Sequence, residues 1–166
     1  MDADLPFNLP DPVHRVLAPL FDALPLDQAM DQLVVDQPNG RWVETVAEIV
    51  REAVIGEQSP LAAGLWLYTD QLDRSHVVSQ GIHDTTGSYW HGIMHRREGD
   101  FGNSHYWFRR VGRHPAMERI GEDYDGHELI DRVEAAHRRK TCDQALVRLQ
   151  RREWVALFAW CATQEG

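Results

Sequence analysis

Only two cysteines occur in the chain, Cys142 and Cys161, and they stand 19 residues apart in a stretch that reads as one helix. That excludes a cysteine-built zinc cluster and argues against an intramolecular disulfide, because two residues so placed cannot meet the short Cα separation a disulfide demands. Lysine is scarcer still: of seventeen basic residues only Lys140 is not arginine. The bias fits guanidinium forks used for bidentate contacts and fits a skewed genome composition equally well. Runs of alternating β-branched residues are missing, which leaves nothing to organise a sheet. No stretch approaches the roughly 20 apolar residues of a membrane span. The opening MDADLPFNLPDP has neither the basic start nor the apolar run of a secretory signal. With so few thiols, the expected location is a reducing cytoplasm.

What is present is enough for a core. The 166 residues are 43% hydrophobic and include six tryptophans, so a single folded domain spanning 1–166 is expected. A net charge of -9 repels phosphate backbones and anionic lipid, so neither general nucleic-acid binding nor membrane binding is expected. The charge is uneven. Residues 88–115, SYWHGIMHRREGDFGNSHYWFRRVGRHP, hold five arginines against two acids and form the only positive stretch. They also hold four of the nine histidines and six aromatics, a mixture that core packing alone does not call for.

Helical spacing dominates the remainder. After Asp11-Pro12, the residues Val13, Val16, Leu17, Leu20, Phe21 and Leu24 fall on one stripe. A short helix is expected over Asp27 to Val35, and after the Asn39-Gly40 turn a third carries Trp42, Val43, Val46, Ile49 and Val50. Ser59-Pro60 opens a fourth, running through LAAGLWLYTDQL. Leu129, Ile130, Val133 and Ala136 align on a later helix, and Thr141 with Gln144 reads as a capping box for the last one. Loops are expected over 82–87, 99–102 and 121–126. The fold class is therefore all-α.

The middle of the chain contains a weak repeat. A shift of 29 residues superposes Ala63 on Gly92, Leu72 on Phe101, Ser75-His76 on Ser104-His105, and Ile82 on Val111. Each unit reads as helix, turn, helix, with a small serine where two helices approach closely. Residues 60–116 thus resemble tetratricopeptide and Sel1-like repeats through Gly92, His95, Ser104, Phe108 and Pro115, which implies a pair of helical hairpins. His91 and His95 stand where those repeats carry leucine and tyrosine, and the spacing is shorter than theirs. YWHGIMHRRE followed by YWFRRVGRHP also resembles the signature of a widespread bacterial and fungal protein family, a likeness that carries no chemistry with it.

Three groups of residues bear on function. On a helix over 88–98, His91, His95 and Glu98 fall within about 60° of one another, so three metal-ligand types share a face. His-x-x-x-His is the spacing by which two imidazoles reach one zinc or similar divalent ion, with Glu98 as third ligand or base. His76 or His105 are the candidates to complete that sphere, and a metal-dependent hydrolase is the enzyme this implies. The plainer alternative places these histidines in the interior, bonded to backbone or aromatic partners, and metal-free acid–base use stands beside it. The second group carries the leading functional expectation, a helical ligand-binding domain, with the metal-dependent hydrolase as its alternative: Arg97, Arg109 and Arg110 converge on a small anion or a peptide carboxylate, with Tyr89, Trp90, Tyr106 and Trp107 as walls. The third reading is a protein-interaction domain without chemistry. Ser75-His76 and Ser104-His105 are not catalytic dyads, because adjacent side chains on a helix diverge.

Overall fold

The segment LAAGLWLY is apolar on every side, and a helix built from it has no face to give to water. In the computed structural model, which describes residues 8–164, this helix is buried from Leu61 to Tyr68. Eight α-helices and two 3-10 turns make up the regular structure of the described residues, with no strand. The all-α expectation is thereby met. The helices are α1 (Asp11–Ala23), α2 (Val43–Arg51), α3 (Pro60–Tyr68), α4 (Leu72–Gln80), α5 (Thr85–Glu98), α6 (Phe101–Val111), α7 (Gly126–Arg138) and α8 (Gln144–Thr163). None is long and apolar enough to cross a membrane.

The core lies between α3, α5 and the apolar end of α8. Trp154 stacks on Phe158 with centroids 4.6 Å apart and donates its indole N–H to the Gly64 carbonyl at 2.8 Å. That bond needs a close approach, and Gly64 permits it: a Cβ there would sit 2.9 Å from both Phe158 and Trp90.

The 29-residue repeat reappears as a repeated contact. Ser75 Oγ donates to the Ala63 carbonyl at 2.9 Å, and Ser104 Oγ donates to the Gly92 carbonyl at 2.7 Å. The four residues are the ones the repeat equates, so α3–α4 and α5–α6 form two hairpins clasped in the same way. Phe108 of α6 is held between glycines of two other elements. A Cβ on Gly92 would meet its ring at 2.7 Å, and one on Gly126 would meet it at 2.4 Å. Gly92→Ala should therefore overpack the α5–α6 joint and cost about 1 to 3 kcal/mol, seen as a lowered urea midpoint at unchanged slope.

Several local expectations give way. Residues 27–35 are not a helix but an irregular strap, with Met30 in the left-handed region at φ 53°. The reason lies in distant side chains that use its carbonyls: Arg151 bonds that of Ala29, Gln150 those of Met30 and Gln32, and Arg97 that of Gln32. A helix would have kept those carbonyls for itself. The fourth helix stops at Tyr68 rather than continuing through Leu72, because Asp70 turns left-handed at φ 61°. The loops expected at 82–87 and 99–102 are shorter, since Asp84 and Asp100 cap α5 and α6 through the amides of Gly87 and Asn103. Asp143, not Thr141, caps α8, and Thr141 Oγ1 instead donates to the Ala136 carbonyl. Cys142 therefore lies outside the helix that holds Cys161, and both thiols are free.

Candidate metal centre

Helix α5 poses the central physical problem of the structure. It is buried along twelve of its fourteen residues, yet those twelve include Ser88, His91, His95, Arg96 and Arg97. A buried polar group without a partner is costly, and a buried charge more so.

Arg96, fully buried, forks onto Glu153 of α8 at 2.7 and 3.1 Å. Tyr124 donates to the same carboxylate at 2.5 Å, and its oxygen lies 2.8 Å from the Tyr89 hydroxyl. Burial raises both phenols well above their ordinary value, with the Glu153 charge acting in the same direction, so both stay protonated. Arg97 is equally buried. It bonds the Leu67 and Gln32 carbonyls at 2.8 and 3.1 Å and Asp70 at 2.6 Å. The convergence of Arg97 with Arg109 and Arg110 on an anion is thus not what the structure has: Arg97 is an internal tie, whereas Arg109 and Arg110 are exposed on α6. Tyr89 and Trp90 are likewise core residues with no exposed surface. Tyr106 and Trp107 remain toward solvent, with the Arg110 guanidinium 5.4 Å from the Trp107 ring centroid and 5.8 Å from that of Tyr106.

The histidines behave differently. His91 and His95 of α5 are 4% and 8% exposed, and His76 of α4 packs its edge against both, with ring centroids 4.7 and 5.5 Å away. One ligand nitrogen from each of the three lies within 4.8 Å of the others. His91 and His95 are stacked at 4.8 Å, and His91 lies flat on Trp107 at 3.9 Å. His95 Nδ1 sits 2.6 Å from Glu98 Oε1. A carboxylate accepts, so Nδ1 carries a proton, and in the neutral ring that tautomer leaves the Nε2 lone pair for a metal. His91 Nδ1 is buried with no hydrogen-bond partner. Burial, then the neighbouring His95 and His76, push the His91 imidazole from 6.5 down to about 4. It is therefore neutral at neutral pH, the form that binds a metal.

Of the residues singled out from the sequence, His91 and His95 are brought together and His76 joins them. Glu98 stands one step back, as the partner of His95. His105 does not join; it faces α7, with Nδ1 2.7 Å from His127 Nδ1 and Nε2 2.9 Å from Asp131. A second grouping of His95, Glu98 and Asp100 shares one imidazole with the first, but Asp100 is already engaged by Asn103 at the start of α6.

The depressed His91 value has a consequence for stability. Between about pH 6.5 and 4 the unfolded chain binds a proton at His91 that the folded chain refuses. Stability should be unaffected by this group above about 6.5, fall as pH drops through that window, and level off below about 4. His114 adds in the same direction, because burial lowers it too, and its Nδ1 accepts the Ala116 amide at 3.1 Å. Urea titrations at intervals from pH 7 to 4 should show this loss in wild type, with a shallower slope in His91→Gln.

No protein-family model matches the chain, nor does any curated protein or solved structure. The reading of the site therefore rests on its geometry.

Proposed function

We propose that the protein is a metal-dependent enzyme of the hydrolase type, built on a divalent-metal centre whose ligands are His76, His91 and His95. The observation that carries this is the convergence of two buried imidazoles, His91 and His95, and the half-buried His76, with a buried nitrogen of His91 that nothing satisfies. Ordinary core histidines are satisfied, whereas His91 Nδ1 has no partner although ligand nitrogens of His76 and His95 lie close by. Donors around a tetrahedral zinc lie about 3.3 Å apart, as bond lengths near 2.0 Å require. Contraction from within 4.8 Å requires the stacked His91 and His95 rings to turn toward the ion. Glu98 supports the assignment, because a carboxylate on the far nitrogen of a ligating histidine fixes its tautomer and raises its basicity.

Three protein ligands leave a coordination position open, which is the arrangement of catalytic rather than structural zinc sites. When bound, such an ion supplies Lewis acidity for polarising a substrate oxygen and activating water. The chain's own residues supply the rest: Glu98 orients His95, and Trp107 shields His91. The scaffold is proposed to be a tetratricopeptide-like pair of hairpins, a reading supported by the equivalent Ser75 and Ser104 clasps.

The test is metal content. Protein purified without a histidine tag, dialysed against micromolar zinc and then against buffer, should retain one ion per chain. Retention of none by folded protein, at neutral pH and for zinc, manganese and iron alike, would overturn the proposal.

A further inference from the structure

A groove of about 430 Å³ opens beside the histidines, within the size range of small-molecule sites. Its wall includes Ser79 of α4 and Ser88 of α5. Ser79 lies three residues beyond His76, and Ser88 three residues before His91. On both helices the groove therefore begins about one turn, roughly 5 Å, from the ligand layer. Trp107 lines it too and is the ring on which His91 is stacked, so groove and metal centre share a wall. The remaining chemistry is that of a recognition site. Arg110 lines the groove and lies over the Trp107 indole, and no carboxylate among the described residues pairs with it. Asp84 also lines the groove, but one of its oxygens is held by the Gly87 amide at 2.9 Å. The Ser79 hydroxyl donates to the His76 carbonyl, which leaves the Ser88 hydroxyl as the serine donor for a ligand in the groove.

We infer that this groove is the substrate subsite of the three-histidine centre and takes a small organic acid derivative, its anionic group on Arg110 and an aromatic or apolar part against the edge of Trp107 that lines the groove. The inference rests on the metal-centre reading for its catalytic meaning and on the groove alone for binding. A guanidinium with no carboxylate partner is a fork for carboxylate or phosphate, and an indole edge accepts an aromatic ring in an edge-to-face arrangement.

Benzoate and phenyl phosphate, titrated calorimetrically into metal-free full-length protein, probe the two anion types. At least one should bind, and Arg110→Ala should weaken it by roughly 10-fold or more, the effect of losing a charge-assisted contact. Arg109→Ala, equal in charge change but outside the groove, should alter affinity less than about 2-fold. The better probe identifies the anion as carboxylate or phosphate. In cobalt-loaded protein the same probe should shift the visible absorption spectrum with the same midpoint, because Trp107 is both a wall of the groove and the ring against which His91 is stacked. No binding of either probe, or equal losses in both arginine variants, would overturn the inference, as would a cobalt spectrum that ignores a bound probe. Arg110-dependent binding in a protein that holds no metal would strike the metal-centre reading and leave the anion subsite standing.

Discussion

Glu153→Ala should destabilise the protein by about 3 to 5 kcal/mol, the cost of leaving a buried charge without its partner. Glu153 has no exposed surface, and three donor groups converge on it: both guanidinium arms of Arg96 and the hydroxyl of Tyr124. Truncation leaves the buried Arg96 charge with only a long contact to Gln150 Oε1 at 3.5 Å, while the Tyr124 hydroxyl keeps Tyr89 at 2.8 Å. Equilibrium urea unfolding should register the loss as a sharply lowered midpoint, and the variant is expected to melt far below wild type. A double replacement, Arg96→Met with Glu153→Leu, should be much less harmful than Glu153→Ala, because it removes both charges together and keeps apolar volume. A loss under about 1 kcal/mol for Glu153→Ala would mean that Arg96 finds water or another acceptor.

His91→Ala should abolish stoichiometric zinc binding, weakening it by more than about 100-fold, while helicity by circular dichroism stays near that of wild type. The expectation separates a ligand from its supports. Glu98→Gln, which keeps the shape but removes the carboxylate from His95 Nδ1, should weaken zinc by about 10- to 100-fold. His105→Ala should have no effect on zinc, since His105 faces His127 and Asp131 across the α6–α7 joint. Competition against a chromophoric chelator measures all three. Equal zinc affinity in wild type and His91→Ala would remove His91 from the ligand set.

The contrast between what the sequence discloses and what it hides follows the range of each interaction. Helices were legible because the stripes in α1, α2 and α7 repeat within a few residues, and Ser75 and Ser104 were legible as close-approach points because the repeat sets them side by side. His91 and His95 share a helix face by spacing alone. His76 was one of two candidates for completing them, and only the α4–α5 packing decides between it and His105. The arginines were not legible. Arg96 and Arg97 look like their neighbours on α6, yet their partners lie 57 residues away at Glu153 and 27 away at Asp70. No local pattern announces such pairs. The strap over 27–35 failed for the same reason, because its apolar spacing suits a helix while its carbonyls serve side chains of α5 and α8. The groove residues Ser79 and Ser88 carried a faint signal, one turn from the histidines on each helix, that gains meaning only when the two helices are seen to pack.

X-ray absorption by the protein loaded with one equivalent of zinc reports the ligands of the three-histidine centre themselves. Three imidazoles and one light ligand predict a first shell of nitrogen and oxygen near 2.0 Å, with the strong outer-shell scattering of about three imidazole rings and no sulfur contribution. That scattering should fall by about one third in any His76→Ala protein that still takes up metal. A first shell containing sulfur, which would implicate Cys142 or Cys161, or an outer shell with one imidazole or none, would contradict the three-histidine centre.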